Sequence, residues 1–208
     1  MAYQGKFITF EGIDGAGKST QVKLLQQNLN NKGFDCIVTR EPGGSPGSEK
    51  LRKILVDKNK YNWSNLSELL LFFAARKDHV EKTILPALFA GKIVICDRFT
   101  DSTRVYQSQG KQDLSKLIEL LQSKVIQLDP DLTFILQINP EISLQRTNSR
   151  QEGDWRVSSL SRERLIQVIN DFSDLTKQYP DRCFEISTET SQEESAREIL
   201  ERTMEILE

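Results

Sequence analysis

Several residue types are scarce in this chain of 208 residues. It has one histidine and three cysteines, and Cys36, Cys96 and Cys183 lie far apart in the sequence. An odd, scattered set of cysteines argues against a disulfide framework and against a zinc site. We therefore expect three small buried thiols in a reducing compartment, the cytoplasm.

Long apolar runs and an excess of charge of one sign are also absent. The longest uninterrupted apolar run, residues 69–75, is too short to cross a bilayer, and residues 1–6 lack a secretory pattern. The 28 basic and 30 acidic residues leave a formal net charge of -2. Such a balance provides no overall cationic field, so we expect neither nucleic acid nor a membrane as a partner.

Short apolar runs recur along the chain with helical patterns between them. Strands that alternate with helices predict an α/β fold, in which helices cover both faces of a parallel sheet and ligands bind at the carboxyl ends of the strands. We expect one domain spanning residues 1–208. The five predicted strands are residues 7–10, 36–39, 93–96, 132–138 and 183–186.

The helical patterns vary in length, and the longest, residues 66–90, contains Pro86, which we expect to kink it or to lie near a break. The segments that follow strands, among them residues 40–47 and 97–103, are expected to be loops at the site. Residues 146–159 are polar and lack an apolar period, which predicts a short flexible lid. The predicted helices are residues 18–31, 48–57, 66–90, 114–128, 140–148, 161–178 and 192–207.

A glycine-rich loop follows the first predicted strand. Residues 12–19 fit the phosphate-binding pattern G-x-x-x-x-G-K-[ST], between a strand and a helix. Glycines let successive backbone N–H groups turn toward phosphate oxygens at a helix N-terminus, which favours anions. Lys18 is then expected to reach the β- and γ-phosphates, and Ser19 to hold Mg²⁺. The predicted nucleotide-binding residues are Gly12, Ile13, Asp14, Gly15, Ala16, Gly17, Lys18, Ser19 and Thr20.

A second signal is an acidic residue and an arginine directly after the third predicted strand. An acid at a strand end that faces the phosphate loop can order Mg²⁺ through water, which makes Asp97 a candidate metal residue. Arg98 beside it can bridge the two phosphates whose oxygens must approach each other. The pair therefore predicts a kinase site rather than an isolated phosphate loop.

With these residues the chain resembles the thymidylate kinases, the nucleoside monophosphate kinases that phosphorylate dTMP. The resemblance runs from Gly5 to about residue 150, with the motifs in family order and spacing. It implies transfer of the γ-phosphoryl group of ATP to dTMP with Mg²⁺, giving dTDP and ADP, and a homodimer formed through the helix at residues 66–90. The matching segments are residues 10–20, 39–44, 68–76, 97–103, 106–107 and 130–133.

The resemblance also implies roles for residues around the acceptor. Phe72 would stack on thymine, although a purely apolar role for Phe72 and Phe73 in the core fits their sequence equally well. Tyr106 would lie against the deoxyribose. The base and sugar residues implied are Phe72, Arg76, Ser102, Thr103, Tyr106 and Gln107, and those at the monophosphate are Glu41, Pro42, Arg52 and Arg98.

The phosphate loop itself has no arginine, since Asp14 is followed by Gly15 and Ala16. The resemblance then implies the bacterial type, in which the catalytic arginine comes from the lid and suppresses hydrolysis until closure. Lys18, Arg98 and Asp14 complete the expected catalytic set. The lid candidates are Arg146, counted with the nucleotide-binding residues, and Arg150 and Arg156, counted as catalytic.

Three alternatives remain at this point. A deoxynucleoside kinase shares the loop and the acid-arginine pair, but it needs a base for a hydroxyl acceptor. A GTPase-type switch needs an Asn-Lys-x-Asp element, which residues 31–34 do not provide. A catalytically silent descendant would fit the lid, in which residues 154–158 depart from the Asp-Arg-aromatic-Glu run usual in the family. The only histidine, His79, is expected at the surface or an interface because phosphate as acceptor requires no base.

Overall fold

The computed structural model describes residues 3–57, 63–108, 110–148 and 161–207. Five strands form one parallel sheet in the order β2-β3-β1-β4-β5. The predicted α/β fold is confirmed, and every strand begins at the predicted residue. The strands are β1 (Phe7–Glu11), β2 (Cys36–Arg40), β3 (Ile93–Asp97), β4 (Leu132–Gln137) and β5 (Cys183–Ser187).

Helices connect and cover the strands. Two π-helical turns, Val80–Ile84 and Gln122–Ile126, follow the third and sixth helices. The α-helices are α1 (Lys18–Asn31), α2 (Pro46–Leu55), α3 (Asn65–His79), α4 (Leu85–Phe89), α5 (Thr100–Tyr106), α6 (Gln112–Leu121), α7 (Pro140–Asn148), α8 (Arg162–Gln178) and α9 (Gln192–Glu205). Among the described residues, no helix is long and apolar enough to cross a membrane.

The helix predicted over residues 66–90 is divided into α3, a π-helical turn and α4. Pro86 lies in the first turn of α4, directly after the π-helical turn Val80–Ile84. Proline has no N–H to donate and its ring crowds the preceding turn, so the regular hydrogen-bond pattern cannot continue through it. The break expected near Pro86 is therefore present, one turn before the proline.

The expectation that residues 97–103 form a loop is wrong, because helix α5 begins at Thr100. Residues 100–103 are polar but buried, so they show none of the apolar periodicity that identifies a helix in a sequence. The predicted helix at residues 48–57 also begins earlier, at Pro46. Ser45 accepts a hydrogen bond from the Ser48 N–H, and proline suits the first helical turn.

Two apolar cores lie on opposite faces of the sheet. Neighbouring strand residues point to opposite sides, so Ile95 joins one core and Cys96 the other. The first core includes residues of α1, α8 and α9, and the second includes residues of α3, α4 and α6. All three cysteines are free and buried, as predicted.

The order of the strands in the sheet indicates a site at its carboxyl edge. β1 lies between β3 and β4, where the direction of winding reverses, and such a reversal opens a crevice at the strand ends. Asp97 is in register with Phe10 of β1 and Arg40 of β2. The loops after these three strands therefore leave the sheet at the same level.

Candidate active site

The phosphate loop encloses the side chain of Lys18. Gly12 has φ 126°, and a Cβ there would lie 2.6 Å from the Leu136 carbonyl oxygen, so only glycine fits. Lys18 Nζ donates to the carbonyl oxygens of Gly12, at 3.0 Å, and Ile13, at 2.8 Å. Burial, together with the nearby positive charge of Arg98, lowers the pKa of Lys18 to about 8. The loop is folded into a cradle with a cation inside it, an arrangement suited to phosphate oxygens.

Ser19 and Asp97 meet at the end of this loop. The Ser19 hydroxyl donates to Asp97 Oδ2 over 2.9 Å. The described residues contain no group of three or more His, Cys, Asp or Glu side chains that could hold a metal ion. Mg²⁺ commonly takes only one or two protein oxygens and completes its shell with water and phosphate. The hydroxyl-carboxylate pair therefore fits Mg²⁺ that arrives with a nucleotide.

Arg98 links the phosphate loop to helix α5. Its Nη2 donates to Asp14 Oδ1 over 2.5 Å, and its Nη1 donates to the Ser102 hydroxyl over 2.9 Å. The guanidinium also lies 5.4 Å from the centre of the Tyr106 ring. Burial alone would raise the pKa of Asp14, but the charges of Arg98 and Lys18 outweigh burial and lower that pKa. Asp14 therefore stays ionised between two cations.

Glu11 is a site residue that the sequence did not identify. Its side chain is fully buried, and its carboxylate accepts hydrogen bonds from the Phe99 N–H, at 2.7 Å, and the Ser102 hydroxyl, at 2.5 Å. Burial and the neighbouring Asp101 charge raise the pKa of Glu11 to about 7. In the sequence, Glu11 could have been noticed as an acidic residue at the end of an apolar strand. Only the fold shows that its side chain is buried beside Arg98.

Arg76 is buried with one part of its guanidinium unused. Nε donates to Glu41 Oε2 over 2.7 Å, and Nη2 donates to the Thr103 hydroxyl over 3.0 Å. The rings of Phe73 and Phe99 each lie 5.1 Å from the guanidinium carbon. Nη1 is buried and has no hydrogen-bond partner. A buried donor without a partner costs free energy, so this atom is well suited to a carbonyl oxygen of a ligand.

The surface or interface position expected for His79 is wrong. The side chain is completely buried, with Nδ1 3.0 Å from Glu41 Oε1 and Nε2 2.7 Å from the Thr39 hydroxyl oxygen. A buried polar residue interrupts the apolar pattern of its helix in the same way as an exposed one does. The sequence therefore could not distinguish the two environments.

The remaining acceptor-side residues lie on neighbouring elements. Arg52 on α2 donates from Nη1 to the Pro42 carbonyl oxygen over 2.6 Å, and the Glu41–Pro42 peptide bond is cis. Gln107 donates to Glu68 Oε1 over 3.3 Å. Phe73 belongs to the core, whereas Phe72 is only half-buried. The alternative in which both phenylalanines are core residues is therefore wrong for Phe72.

One of the three lid arginines lies in the described part of the chain. Arg146 on α7 is exposed and donates from Nη1 to the Gly15 carbonyl oxygen over 3.3 Å. Ser143, one turn earlier, donates to the Asp14 carbonyl oxygen over 2.6 Å. Helix α7 is thereby joined to the phosphate loop. Arg150 and Arg156, with most of the lid predicted at residues 146–159, lie outside the described residues.

Comparisons with known proteins identify relatives of this chain. The family model described as thymidylate kinase matches residues 10–199. The thymidylate kinase of Ruegeria pomeroyi is 46% identical over 182 residues, which cover 88% of this chain and 86% of that protein. The thymidylate kinase of Dinoroseobacter shibae is 44% identical over 200 residues, covering 96% and 97%.

A solved structure supports the same relationship in three dimensions. The crystal structure of thymidylate kinase from Ehrlichia chaffeensis has a TM-score of 0.75 with this chain at 34% identity, and the match covers 98% of this chain and 99% of that one. The chain therefore belongs to the thymidylate kinase family.

Proposed function

We propose that the chain transfers the γ-phosphoryl group of ATP to dTMP, giving dTDP and ADP, and that the residues gathered at the carboxyl edge of the sheet carry the reaction. The observation that supports this most directly is the position of Arg98. It contacts Asp14 of the phosphate loop and Ser102 of α5, and the next residue, Thr103, accepts a hydrogen bond from Arg76. An arginine in that position is shared by a donor site and an acceptor site.

The donor half consists of residues 12–20, with Arg146 contacting the loop from α7. Backbone N–H groups of the loop bind the phosphates of ATP, and Lys18 exchanges its loop carbonyls for β- and γ-phosphate oxygens. Ser19 and Asp97 are the residues that would hold Mg²⁺. When bound, the ion neutralises phosphate charge and helps to orient the transferring group.

The acceptor half binds the monophosphate and the base separately. Arg52 and Arg98 hold the dTMP phosphate beside the loop of Glu41 and Pro42, and Arg76 Nη1 donates to a carbonyl oxygen of thymine. Phe72, which is half-buried, stacks on the base. The residues that complete the pocket on α5 and after it are Ser102, Thr103, Tyr106 and Gln107.

In-line transfer needs no general base because the attacking atom is already a phosphate oxygen. Lys18 and Arg98 stabilise the migrating charge from either side, and Asp14 orients both cations. A lid arginine, taken from Arg146, Arg150 and Arg156, adds a further positive charge and excludes water on closure. The whole chain, residues 1–208, then acts as one domain with a lid over residues 146–159.

A coupled assay of ADP release with a panel of acceptors tests the proposal. We expect kcat/KM for dTMP to exceed the values for AMP, CMP and GMP by about 100-fold or more, since buried polar groups discriminate strongly. Equal turnover of these monophosphates would contradict the assignment. Turnover of thymidine instead of dTMP would indicate a deoxynucleoside kinase, and binding of both substrates without turnover would indicate a silent descendant.

Substitution of the proposed phosphate clamp gives a sharper test. Arg98→Ala and Arg52→Ala should each raise KM for dTMP or lower kcat, by about 10-fold to 1,000-fold, because each removes a charge-assisted phosphate contact. Arg197→Ala is the matched control, since Arg197 is exposed on α9 away from the site. Clamp variants with kinetics equal to those of this control would show that neither arginine binds the acceptor.

We also propose that the chain forms a homodimer in the cytoplasm. Leu66 and Leu70 on α3 are 47% and 46% exposed, and residues four apart lie on one side of a helix. A second copy would cover them. Sedimentation at micromolar concentration should give the mass of a dimer, which Leu66→Glu together with Leu70→Glu should dissociate; a monomeric unmodified chain would contradict the proposal. The buried free thiols suit a reducing compartment.

A further inference from the structure

A buried chain of hydrogen bonds runs from the end of β2 to the guanidinium of Arg76, whose Nη1 has no partner. It passes from Thr39 to His79, from His79 to Glu41, and from Glu41 to Arg76. We propose that His79 is a positioning residue for recognition of the pyrimidine base, which acts through Glu41 to fix the guanidinium of Arg76. The inference rests on the proposed function, in which Arg76 Nη1 contacts thymine.

The two carboxylate oxygens of Glu41 have different partners. Oε2 accepts from Arg76 Nε over 2.7 Å, and Oε1 lies 3.0 Å from His79 Nδ1. Since a carboxylate carries no proton to donate, the contact requires a proton on Nδ1. The terminal torsion of a glutamate is broad, so a carboxylate with a partner on one oxygen could rotate. His79 on the second oxygen removes that freedom.

The orientation of Arg76 follows from this restraint. Its guanidinium is planar, with Nε bound to Glu41 and Nη2 bound to the Thr103 hydroxyl. Two fixed contacts in the plane determine where the third nitrogen, Nη1, points. The rings of Phe73 and Phe99 restrict motion out of the plane. A change at His79 would therefore alter the direction of Nη1 without touching the substrate.

His79 is itself held firmly. Nε2 lies 2.7 Å from the Thr39 hydroxyl oxygen, and the backbone of Gly44 packs against the ring. A Cβ at Gly44, which has φ 85°, would lie 2.3 Å from His79 Nε2. Thr83 donates to the Gly44 carbonyl oxygen over 2.7 Å and holds this loop in place. The imidazole ring is therefore fixed in position, and its Nδ1 holds Glu41 Oε1 in place.

Two amide substitutions separate the contacts of His79. In His79→Asn the amide lies near the position of Nδ1 and can still donate to Glu41, whereas in His79→Gln it lies near Nε2 and can still bond Thr39. We expect His79→Gln to raise KM for dTMP by about 5-fold to 30-fold and His79→Asn by less than about 3-fold. KM for ATP should change by less than about 2-fold in both.

Thermal unfolding provides the structural comparison. Each variant loses one hydrogen bond of His79, so the two Tm values should be similar although the two KM values for dTMP differ. Equal KM values for dTMP in the two variants, or KM values that simply follow Tm, would overturn the proposal. In that case His79 would only stabilise the fold.

Arg76→Gln separates this inference from the function on which it rests. If Arg76→Gln leaves KM for dTMP unchanged, the proposed base contact fails, whatever His79 does. If Arg76→Gln raises KM and His79→Gln does not, only the inference fails. When both raise it, the double variant should be no worse than Arg76→Gln alone, because His79 acts through Arg76.

A measurement on the unmodified protein covers the case in which the variants do not fold. The chain has a single histidine, so ¹⁵N-labelled protein gives one imidazole spectrum. We expect a slowly exchanging proton on Nδ1, whose chemical shift changes when dTMP is added and stays constant when a non-hydrolysable ATP analogue is added alone. A proton absent from Nδ1, or a shift unaffected by dTMP, would overturn the proposal.

Discussion

Arg98 adopts a backbone conformation that is unusual for arginine. Its φ of 72° lies in the left-handed region, which costs a non-glycine residue about 1 kcal/mol. Its N–H donates to the Phe10 carbonyl oxygen over 2.9 Å, and the N–H of the next residue, Phe99, donates to Glu11. These contacts hold the turn that aims the guanidinium at Asp14. Glu11 therefore helps to hold the turn that brings Arg98 to Asp14.

The raised pKa of Glu11 predicts how stability depends on pH. The pKa of Glu11 is about 7 in the native state and has its ordinary value of 4.5 in the unfolded chain, so the native state binds the proton more tightly. The stabilisation that comes from this tighter proton binding is therefore complete below about pH 4.5. It is lost as pH rises to about 7. Glu11→Gln cannot ionise, so its free energy of unfolding should rise relative to the unmodified chain by up to about 3 kcal/mol over that window.

Urea unfolding of both proteins at pH 5 and pH 8 measures this change. The constant cost of the altered hydrogen bonds cancels when the two pH values are compared. Glu205→Gln is the control, because Glu205 is exposed on α9 and should show no pH-dependent difference. Parallel stability profiles for Glu11→Gln and the unmodified chain would contradict the assignment of this titration to Glu11.

At the scale of elements, helix α5 combines site residues with a buried ion network. Asp101 is 1% exposed and forms ion pairs with Arg104, at 2.8 Å, and with Arg182, directly before β5, at 2.7 Å. Arg104 also pairs with Glu119 of α6. One short helix is thus joined to α6 and to the sheet by charges. Ser102 and Thr103 on the same helix contact Arg98 and Arg76.

Removal of the Asp101 charge should destabilise the protein strongly. In Asp101→Asn two largely buried arginines lose their shared carboxylate, and breaking a buried ion pair in this way costs about 3–5 kcal/mol. Denaturant unfolding measures the loss. Asp181→Asn, at an exposed neighbour of Arg182, should change stability by less than about 0.5 kcal/mol. Similar stabilities for the two variants would show that the network contributes little.

At the scale of the whole molecule, both faces of the sheet are covered and no thiol is exposed. Burial raises the pKa of Cys36 to about 11 and that of Cys183 to about 12, and it raises the pKa of Cys96 well above its usual value. Thiols react as thiolates, so both access and ionisation limit their reactivity.

A thiol titration reports on this packing. At pH 8 the native chain should react slowly with an aromatic disulfide reagent, and the chain in denaturant should react rapidly at all three cysteines. Reaction of the native chain should require opening of the fold. Rapid reaction of one equivalent with the native chain would show that one core is open to solvent.

The predictability of the fold differed between apolar and polar segments. Apolar strands bounded by loops were predicted to within a residue, because burial on both faces leaves a continuous apolar run. Helix α5 was missed because Asp101, Ser102 and Thr103 are buried through ion pairs and hydrogen bonds. Burial of polar groups depends on partners far away in the chain, and one sequence does not show which residues will meet.

The sequence by itself determined the phosphate loop, the parallel sheet and the family, because these depend on local spacing and on apolar runs. Only the tertiary structure decided that Glu11 and His79 are buried, that Arg98 reaches Asp14, and that one nitrogen of Arg76 is left without a partner. The physical reason is that a polar side chain acquires its role from the groups opposite it. At this site those groups lie on other strands and helices, which the sheet order and the packing of the helices bring together.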